Sequence, residues 1–357
     1  MAKALGMLLI IWGHIRVNDW SNAFVYAFHI PLFFFLSGMV FSKTRYLGFG
    51  SFFRKRVKSL LIPYIFFSIL TWGIWSGYSY LTHARVESYL MPLLQTFIAQ
   101  GSGGFLVHNV PLWFVTCLFV VEVIYYFLSK LKDKYIIIIS ILMAIISYVL
   151  INYVTVFDFT LLPWSMEVAM LVIPFYAIGN LCVKKFSHKR IINIVDRHKL
   201  YSFILLLLSF VVVLFCSRYN GSISFGHSDL GRSVFVTYLG GFVGTLMFLI
   251  FCILLSLTSS NIKNNLIMQK IKWFGRNSFD AMAIHNPIKG FVCVVVGIVF
   301  QCTSFTVCHN SYYSLVAFII TLIVTVIGMC IIEWFKRNSI EGKIIANLSK
   351  KKFVRFL

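Results

Sequence analysis

Two histidines near the start of the chain are the first residues whose type and position indicate chemistry. His14 closes an apolar run that begins after Lys3, and His29 follows a short polar stretch at 15–22. A neutral imidazole can take up and return a proton near neutral pH, which suits it to act as a general base on a hydroxyl group. A packing histidine bonded to a neighbouring carbonyl is the alternative interpretation for each.

The spacing of Lys3 and His14 places them on one stripe of a helix. Eleven positions return to within ~20° of the same face, about 16 Å further along the helix axis. After the polar turn the second helix runs back, so His29 lies ~9 Å below its outer end. We therefore predict that His14 and His29 face a common cavity on the outer side of the membrane.

A dense cationic run, Arg54, Lys55, Arg56 and Lys58, comes directly before an apolar segment. Clustered Arg and Lys at a helix start can hold the phosphate groups of a nucleotide-like donor. The alternative is a basic loop that only fixes membrane topology. Pro63 is expected to open a gap in the helix at this level, because it lacks a backbone N–H.

Further polar residues lie inside apolar segments, where an ionisable group is costly and is a functional candidate by default. Glu122 and Glu167 could each orient a histidine, bind a sugar hydroxyl or neutralise a basic side chain. His285 and Lys289 share a helix face by their spacing of four, so the ninth segment is expected to line a cavity. The candidates for substrate binding are Trp113, Glu122, Glu167, His285 and Asn286.

The elements that must position these residues are membrane helices. Of the 357 residues 59% are hydrophobic, which is more than a soluble domain can bury, and this excludes an ordinary soluble enzyme. Ten apolar stretches lie at about 4–17, 23–42, 60–82, 110–129, 135–153, 163–183, 201–217, 232–258, 277–302 and 313–335. The first lacks a small-residue cleavage site and carries His14, so we interpret it as a membrane helix, not a signal peptide.

The charges fix the orientation. The chain has 32 Lys and Arg against 11 Asp and Glu, and 27 of the 32 fall on alternate loops, which the positive-inside rule assigns to the cytoplasm. The sequence thus predicts an all-α polytopic bundle of about ten transmembrane helices with both termini cytoplasmic. This accounts for the net charge of +21 without a nucleic-acid partner.

The remaining motifs are few. The eight cysteines form no CxxC pair and no metal spacing, so no metal site is predicted. We interpret most of them as packing residues, and only Cys302 and Cys308, both near the outer face, are candidates for a disulfide. The absence of a Walker loop argues against an ATP-driven transporter.

Several runs, taken in order, resemble the integral-membrane acyltransferase 3 family, in particular its fucose 4-O-acetylase-like branch. They are Lys3 to His14, FHIPLFFFLSG at 28–38, RVKSLLIPY at 56–64, PLWF at 111–114, FYAIG at 175–179, FGRNS at 274–278 and HNPI at 285–288. Two positions depart from the family pattern. Met1 and Ala2 precede Lys3 where an acidic residue is common, and Ser59 replaces the second arginine of an Arg-x-x-Arg pattern, leaving Lys55 or Lys58 to substitute.

The resemblance implies transfer of an acyl group, usually acetyl, from cytoplasmic coenzyme A to a hydroxyl of an extracytoplasmic or lipid-linked glycan. It implies that His14 is catalytic and that Arg56 and its neighbours serve the acyl-CoA side. We further expect His29 or an acidic residue to assist His14, and Lys3 to contribute to the binding of acetyl-CoA. We expect a membrane acyltransferase domain at 1–335, a basic cytoplasmic tail at 336–357, and a place in the bacterial cytoplasmic membrane among its lipids. A transporter or flippase of lipid-linked sugars is the competing hypothesis, because it too would be polytopic and lined by polar groups.

Overall fold

The computed structural model describes residues 1–101, 103–153, 162–259 and 266–338, and its regular elements there are helices. The first eight are α1 Ala2–Ile15, α2 Asp19–Tyr26, α3 His29–Val40, α4 Phe49–Arg56, α5 Ile62–Leu81, α6 Met91–Gln95, α7 Trp113–Leu128 and α8 Asp133–Tyr153. The next eight are α9 Met166–Lys185, α10 His188–Arg197, α11 Lys199–Asn220, α12 Val234–Ser259, α13 Leu266–Arg276, α14 Ser278–Val299, α15 Ser304–His309 and α16 Ser311–Asn338.

Nine helical stretches within these described ranges are long and apolar enough to cross a membrane. They are Asp19–Val40, Phe49–Leu81, Val110–Leu128, Asp133–Tyr153, Pro163–Lys185, Lys199–Asn220, Val234–Thr258, Ser278–Val299 and Ser311–Asn338. Helix α1, with 14 residues, is the shorter tenth segment. The ten predicted apolar stretches all correspond to these helices, so the prediction of an all-α polytopic membrane bundle is confirmed.

The centre of the bundle is formed by α1, α3, α7 and α9. Two thirds of the apolar window of α7 and of α9 is buried, whereas 22% of the window of α8 and of α16 is buried. The outward faces of α8 and α16 carry exposed Ile, Leu, Val and Phe side chains, as a lipid-facing helix requires. The polar residues singled out in the sequence therefore lie on, or close to, the central helices.

Helices α3 and α9 approach closely because glycines face each other across the contact. A Cβ atom on Gly38 would collide with the backbone carbonyl of Tyr176, and one on Gly179 with that of Phe35. Small residues let membrane helices approach to backbone contact. Asn180 stabilises the same contact, because its Nδ2 donates to the Gly38 carbonyl at 3.0 Å.

Two prolines interrupt helices at positions that matter for the cavity. The second span is split into α2 and α3, and Pro31, in the first turn of α3, lacks the N–H that would continue the helix. A π-helical turn, Val57–Leu61, joins α4 to α5 and ends two residues before Pro63. In this turn the Ile62 N–H bonds to the carbonyl of Val57, five residues earlier. The expected local break at Pro63 is thus a widened turn.

Two polar contacts join the C-terminal ends of α13 and α16 and the N-terminal end of α14. Lys336 donates to Asp280 at 2.7 and 2.8 Å, and the Trp273 indole donates to Glu333 at 2.6 Å. Asp280 is therefore paired with a lysine of α16 and does not line the central cavity. Helix α16 continues to Asn338, and residues 339–357 of the expected tail lie outside the described residues.

At the outer end of α14, Cys308 lies beside Cys293, with the two sulfur atoms 3.7 Å apart. The candidate partner from the sequence was Cys302, which makes no sulfur contact among the described residues. The thiol closest to Cys308 thus comes from the helix that carries His285 and Lys289.

Candidate active site

A cavity of about 280 Å³ lies between α1, α3, α7, α14 and the π-helical turn. Six of the residues selected from the sequence line it: Lys3, His14, His29, Arg56, Trp113 and Glu122. Its remaining walls are mainly apolar, with Met7, Ile10, Phe33, Phe114 and Leu118 among them. One cavity therefore connects the basic residues at one end of the bundle with the histidines nearer the other end.

Helix α1 contributes one continuous stripe to this cavity. Lys3, Met7, Ile10 and His14 all line it, and their spacings of four, three and four residues keep them on one helix face. The predicted common face of Lys3 and His14 is confirmed. The rise of a helix puts these two side chains about 16 Å apart along the axis, so the cavity extends at least that far.

His14 lies in the last turn of α1, next to two residues of α14. The centroid of its ring is 5.1 Å from that of His285, and the Lys289 ammonium donates to the His14 main-chain carbonyl at 3.3 Å. The predicted shared face of His285 and Lys289 is confirmed by these contacts. No carboxylate lies within 4 Å of His14 among the described residues, so His285 and Lys289 are the polar neighbours that position it.

His285 is fully buried behind His14 and is not among the lining residues. Its Nδ1 lies 2.8 Å from the Met282 carbonyl and 3.1 Å from that of Ala281. Because a carbonyl only accepts, Nδ1 carries the hydrogen and Nε2 is left as an acceptor. That Nε2 is buried and has no hydrogen-bond partner in the described part of the chain.

His29 reaches the cavity from the first position of α3. Its Nδ1 donates to the Val25 carbonyl at 3.1 Å, which fixes the ring and leaves Nε2 as an acceptor. The Tyr26 ring packs against it with a centroid distance of 4.6 Å. The two histidines expected to face a common cavity do so.

The inner end of the cavity is dominated by an ion pair. The Arg56 Nε lies 2.8 Å from the Glu122 carboxylate, and its terminal nitrogen donates to the Tyr46 hydroxyl at 2.6 Å. Of the three roles considered for Glu122, neutralising a basic side chain is the one that this contact supports. The Phe52 ring lies 5.7 Å from the guanidinium carbon and completes the enclosure of the pair.

The basic run divides into two groups because of helical periodicity. Phe52, Arg56 and Leu60 follow one another at four-residue spacing on the inward face, and Phe52 and Leu60 are buried. The other three cations lie on the surface around a shallow depression, which is lined by Gly50, Ser51, Arg54, Lys55 and Lys58. Only Arg56 of the four therefore enters the central cavity.

Trp113 opens α7 and is 6% exposed. A Cβ atom on Gly101 or on Gly226 would lie 2.8 or 2.7 Å from the indole, so two outer loops pack directly on this ring. Pro111, in the short turn that precedes α7, lines the cavity beside it. Trp113 thus lines the cavity and also contacts the two loops that contain Gly101 and Gly226.

Two selected residues lie elsewhere. Glu167 is buried in the first turn of α9, where its carboxylate accepts a hydrogen bond from the Leu162 N–H at 3.0 Å. That contact suits the positive end of a helix. Asn286 is half-buried on α14 and is absent from the cavity lining. The structure therefore places neither residue with the histidines.

Sequence reasoning missed the small polar groups of the cavity, Ser37, Ser59 and Ser278, and also Tyr46, which holds Arg56. Serine is common in membrane helices, so the three carry little signal by themselves. All three serines do fall inside the runs at 28–38, 56–64 and 274–278 that carry the family resemblance.

Comparison with known proteins gives one result. The family model Acyl_transf_3, described as an acyltransferase domain, matches residues 1–349. No curated protein and no solved structure matches the chain. Since the model covers nearly all of the 357 residues, the chain belongs to the acyltransferase 3 family of membrane acyltransferases.

Proposed function

We propose that the protein is an O-acetyltransferase that moves an acetyl group from cytoplasmic acetyl-CoA to a hydroxyl of a cell-surface or lipid-linked polysaccharide, in a bacterial cytoplasmic membrane. The observation that carries this proposal is the single cavity that contains Lys3 and Arg56 at one end and His14 and His29 at the other. A donor entering from the inner side and an acceptor approaching from the outer side would meet inside it.

The inner surface suits coenzyme A. Arg54, Lys55 and Lys58 have no carboxylate within 4 Å among the described residues, so their charges are available to the phosphates of the nucleotide. Arg56 is already paired with Glu122, so it would form part of a polar entrance to the cavity and would not offer an unpaired charge. The apolar walls beyond it suit the long, thin pantetheine arm, which would bring the thioester toward His14.

The outer end suits general base catalysis. His14 would take the proton from the acceptor hydroxyl, whose oxygen attacks the thioester carbonyl. The carbon–sulfur bond then breaks, and the proton held by His14 passes to the departing sulfur, which leaves as free coenzyme A. Lys289 and His285 would hold the imidazole in position, and His29, with Nε2 free, would bind the sugar hydroxyl or assist its deprotonation.

The nature of the acceptor rests on the resemblance to the fucose 4-O-acetylase-like branch, which supports a sugar hydroxyl. The choice of acetyl over longer acyl chains rests on the same resemblance. The cavity volume of about 280 Å³ is consistent with a small acyl group at the end of the pantetheine arm.

The test uses purified protein in lipid nanodiscs, with radiolabelled acetyl-CoA and glycan extracted from cells that lack the gene. We expect glycan-dependent release of free coenzyme A and label in the glycan, both lost in His14→Ala. His188→Ala is the matched control, because His188 is exposed at the start of α10, away from the cavity.

Two results would contradict the proposal. A folded His14→Ala protein that transfers acetyl at the wild-type rate would remove His14 from the mechanism. A wild-type protein that releases no coenzyme A but moves lipid-linked sugar between leaflets would establish the transporter hypothesis instead.

A further inference from the structure

A second polar cavity, of about 580 Å³, opens at the outer end of α1, α2 and α11. Arg16, Asp19, Trp20, Asn22, Ser217 and Arg218 line it. None of these residues takes part in the mechanism described above.

The charge of this cavity is unusual for its side of the membrane. Arg16 and Arg218 are two of only five Lys and Arg that fall outside the cytoplasmic loops. No carboxylate lies within 4 Å of either guanidinium in the described part of the chain, although Asp19 lines the same cavity. Two guanidinium groups against one carboxylate leave a net positive site, which favours an anion with planar or tetrahedral oxygens.

Asn22 provides an independent sign of a missing ligand. Its side chain is 4% exposed, and its Oδ1 is buried with no hydrogen-bond partner among the described residues. Buried polar atoms are normally paired, and this unpaired oxygen belongs to a residue of the cavity wall. An amide oxygen accepts, so the matching group is a hydroxyl or an N–H, as a sugar provides.

Trp20 supplies a surface for a ring. Its indole is 44% exposed, and the Arg218 guanidinium carbon lies 5.9 Å from the ring centroid. This cation–π contact holds Arg218 beside the cavity, and the guanidinium keeps its positive charge.

The second cavity and His14 share the last turn of α1. Arg16 is the residue that ends α1, in a left-handed conformation with φ 57°, and its N–H bonds to the Gly13 carbonyl. Asn22 packs against the same turn, since a Cβ atom on Gly13 would lie 3.5 Å from its Oδ1. Because Arg16 is two positions after His14 in the chain, a saccharide bound beside Arg16 would lie close to the proposed base.

We propose that this cavity binds an anionic group of the acceptor glycan, a carboxylate of an acidic sugar or a phosphate of its lipid carrier, and so sets which hydroxyl reaches His14. The inference rests on the proposed function and narrows its acceptor to anionic saccharides. Arg16 and Arg218 bind the anion, and Asn22 accepts from a neighbouring hydroxyl.

The test is a binding measurement on the full chain in phosphatidylcholine nanodiscs, which carry no competing anionic headgroup. The probes are a disaccharide that contains a hexuronate, the same disaccharide with its carboxylate reduced to an alcohol, and a polyprenyl pyrophosphate-linked monosaccharide. We expect at least one anionic probe to bind tenfold or more tightly than the reduced disaccharide, with an affinity that falls as salt rises. Tight binding of the hexuronate or of the pyrophosphate identifies which anion the cavity takes.

The variants separate this cavity from general effects. The double variant Arg16→Gln/Arg218→Gln should remove the preference for the anion, and the isosteric Asn22→Asp should weaken the anionic probes more than the neutral one. Arg85→Gln, which removes an exposed arginine outside this cavity, should retain the preference. Unchanged acetyl-CoA binding in every variant verifies that the fold is intact.

Equal binding of the anionic and reduced probes by the wild type would overturn the inference, as would an anion preference that survives the double variant. Displacement of both anionic probes by added phosphatidylglycerol would assign the cavity to lipid and also overturn it. If anionic saccharides bind but no coenzyme A is ever released, the proposed transferase function fails while the site stands. If coenzyme A is released equally with acidic and neutral acceptors, the site fails while the function stands.

Discussion

Lys289 donates to the main-chain carbonyl of His14 across 275 positions of sequence, at 3.3 Å. A helix end leaves its last carbonyls without intrahelical partners, and a cation there both satisfies one of them and complements the helix dipole. The contact joins α14 to the turn of α1 that carries the proposed base. The position of His14 in the cavity therefore depends on a residue that touches its backbone and not its ring.

We expect Lys289→Ala to lower the rate of acetyl transfer about tenfold while acetyl-CoA binding is unchanged. A hydrogen bond from a charged donor contributes ~1.5 to 3 kcal/mol, and its loss would free the last turn of α1. Lys289→Arg, which keeps a charged donor, should restore part of the rate. Initial rates and direct binding of acetyl-CoA make the comparison, and an equal loss of binding would point to a general defect.

The ion pair between Arg56 and Glu122 should stabilise the fold as a pair. Glu122→Leu leaves the guanidinium unpaired beside the cavity, and since Arg56 keeps partial exposure we expect a loss of ~2 to 3 kcal/mol. Arg56→Met should be similarly costly, and the double variant should recover most of the stability. Thermal unfolding of the wild type and the three variants in detergent gives the coupling between the two residues. Additive losses in the double variant would show that the pair is not coupled.

The three surface cations of the basic run should act on the nucleotide part of the donor. We expect Arg54→Gln/Lys55→Gln/Lys58→Gln to weaken acetyl-CoA binding tenfold or more, and to leave binding of acetyl-pantetheine unchanged, because the latter lacks the nucleotide phosphates. Lys270→Gln/Lys272→Gln, on helix α13, which the charge distribution predicts to be cytoplasmic, is the matched control. If the triple variant alters only the orientation of the protein in the membrane, the run is purely a topology signal.

His108 should make stability depend on pH. It is buried in the loop before α7, and burial lowers its pKa from 6.5 to about 4. Neither ring nitrogen has a hydrogen-bond partner within the described residues. Between pH 6.5 and 4 the unfolded chain binds a proton at this position that the folded chain does not, so stability is greatest above pH 6.5 and falls as the pH is lowered toward 4.

We therefore expect the wild-type midpoint of thermal unfolding to fall more steeply than that of His108→Gln between pH 7 and pH 4. The difference between the two curves isolates His108 from the other histidines. Parallel curves would mean that this side chain is protonated as readily in the folded protein as in the unfolded one.

Cys308 should cross-link to Cys293 when an oxidant is supplied. Their sulfur atoms are 3.7 Å apart in the structure, so copper phenanthroline should form a disulfide by removing two electrons and two protons from the thiol pair. Peptide mapping by mass spectrometry should find the 293–308 peptide pair, and Cys302→Ser should not change it. Recovery of a 302–308 pair instead would support the pairing suggested by the positions of these residues in the sequence.

The sequence was sufficient for two relationships that each lie within one helix. The apolar stretches predicted the ten segments, and the spacing of Lys3 and His14 predicted their common face, because both depend on a fixed rise and rotation per residue. The same reasoning paired His285 with Lys289. These are local properties, and a single helix determines them.

Relationships between helices were not accessible in the same way. Glu122 and Glu167 are equivalent in the sequence, yet one pairs with Arg56 and the other accepts from the Leu162 N–H. The partner of each carboxylate depends on which helices pack together, and that depends on contacts such as those of Gly38 and Gly179. Which face of the basic run points inward depended on how α4 packs against α7, and no single segment contains that information.

Because α1 is short, each of the two proposed substrates would cross only part of the membrane. With Lys3 at the cytoplasmic interface, the 16 Å to His14 covers about half of a hydrocarbon layer ~30 Å thick. In the proposed reaction the acetyl group would be carried outward over one half, and the sugar hydroxyl would reach inward over the other. Neither the nucleotide nor the polysaccharide would then have to traverse the bilayer for the acetyl group to change sides.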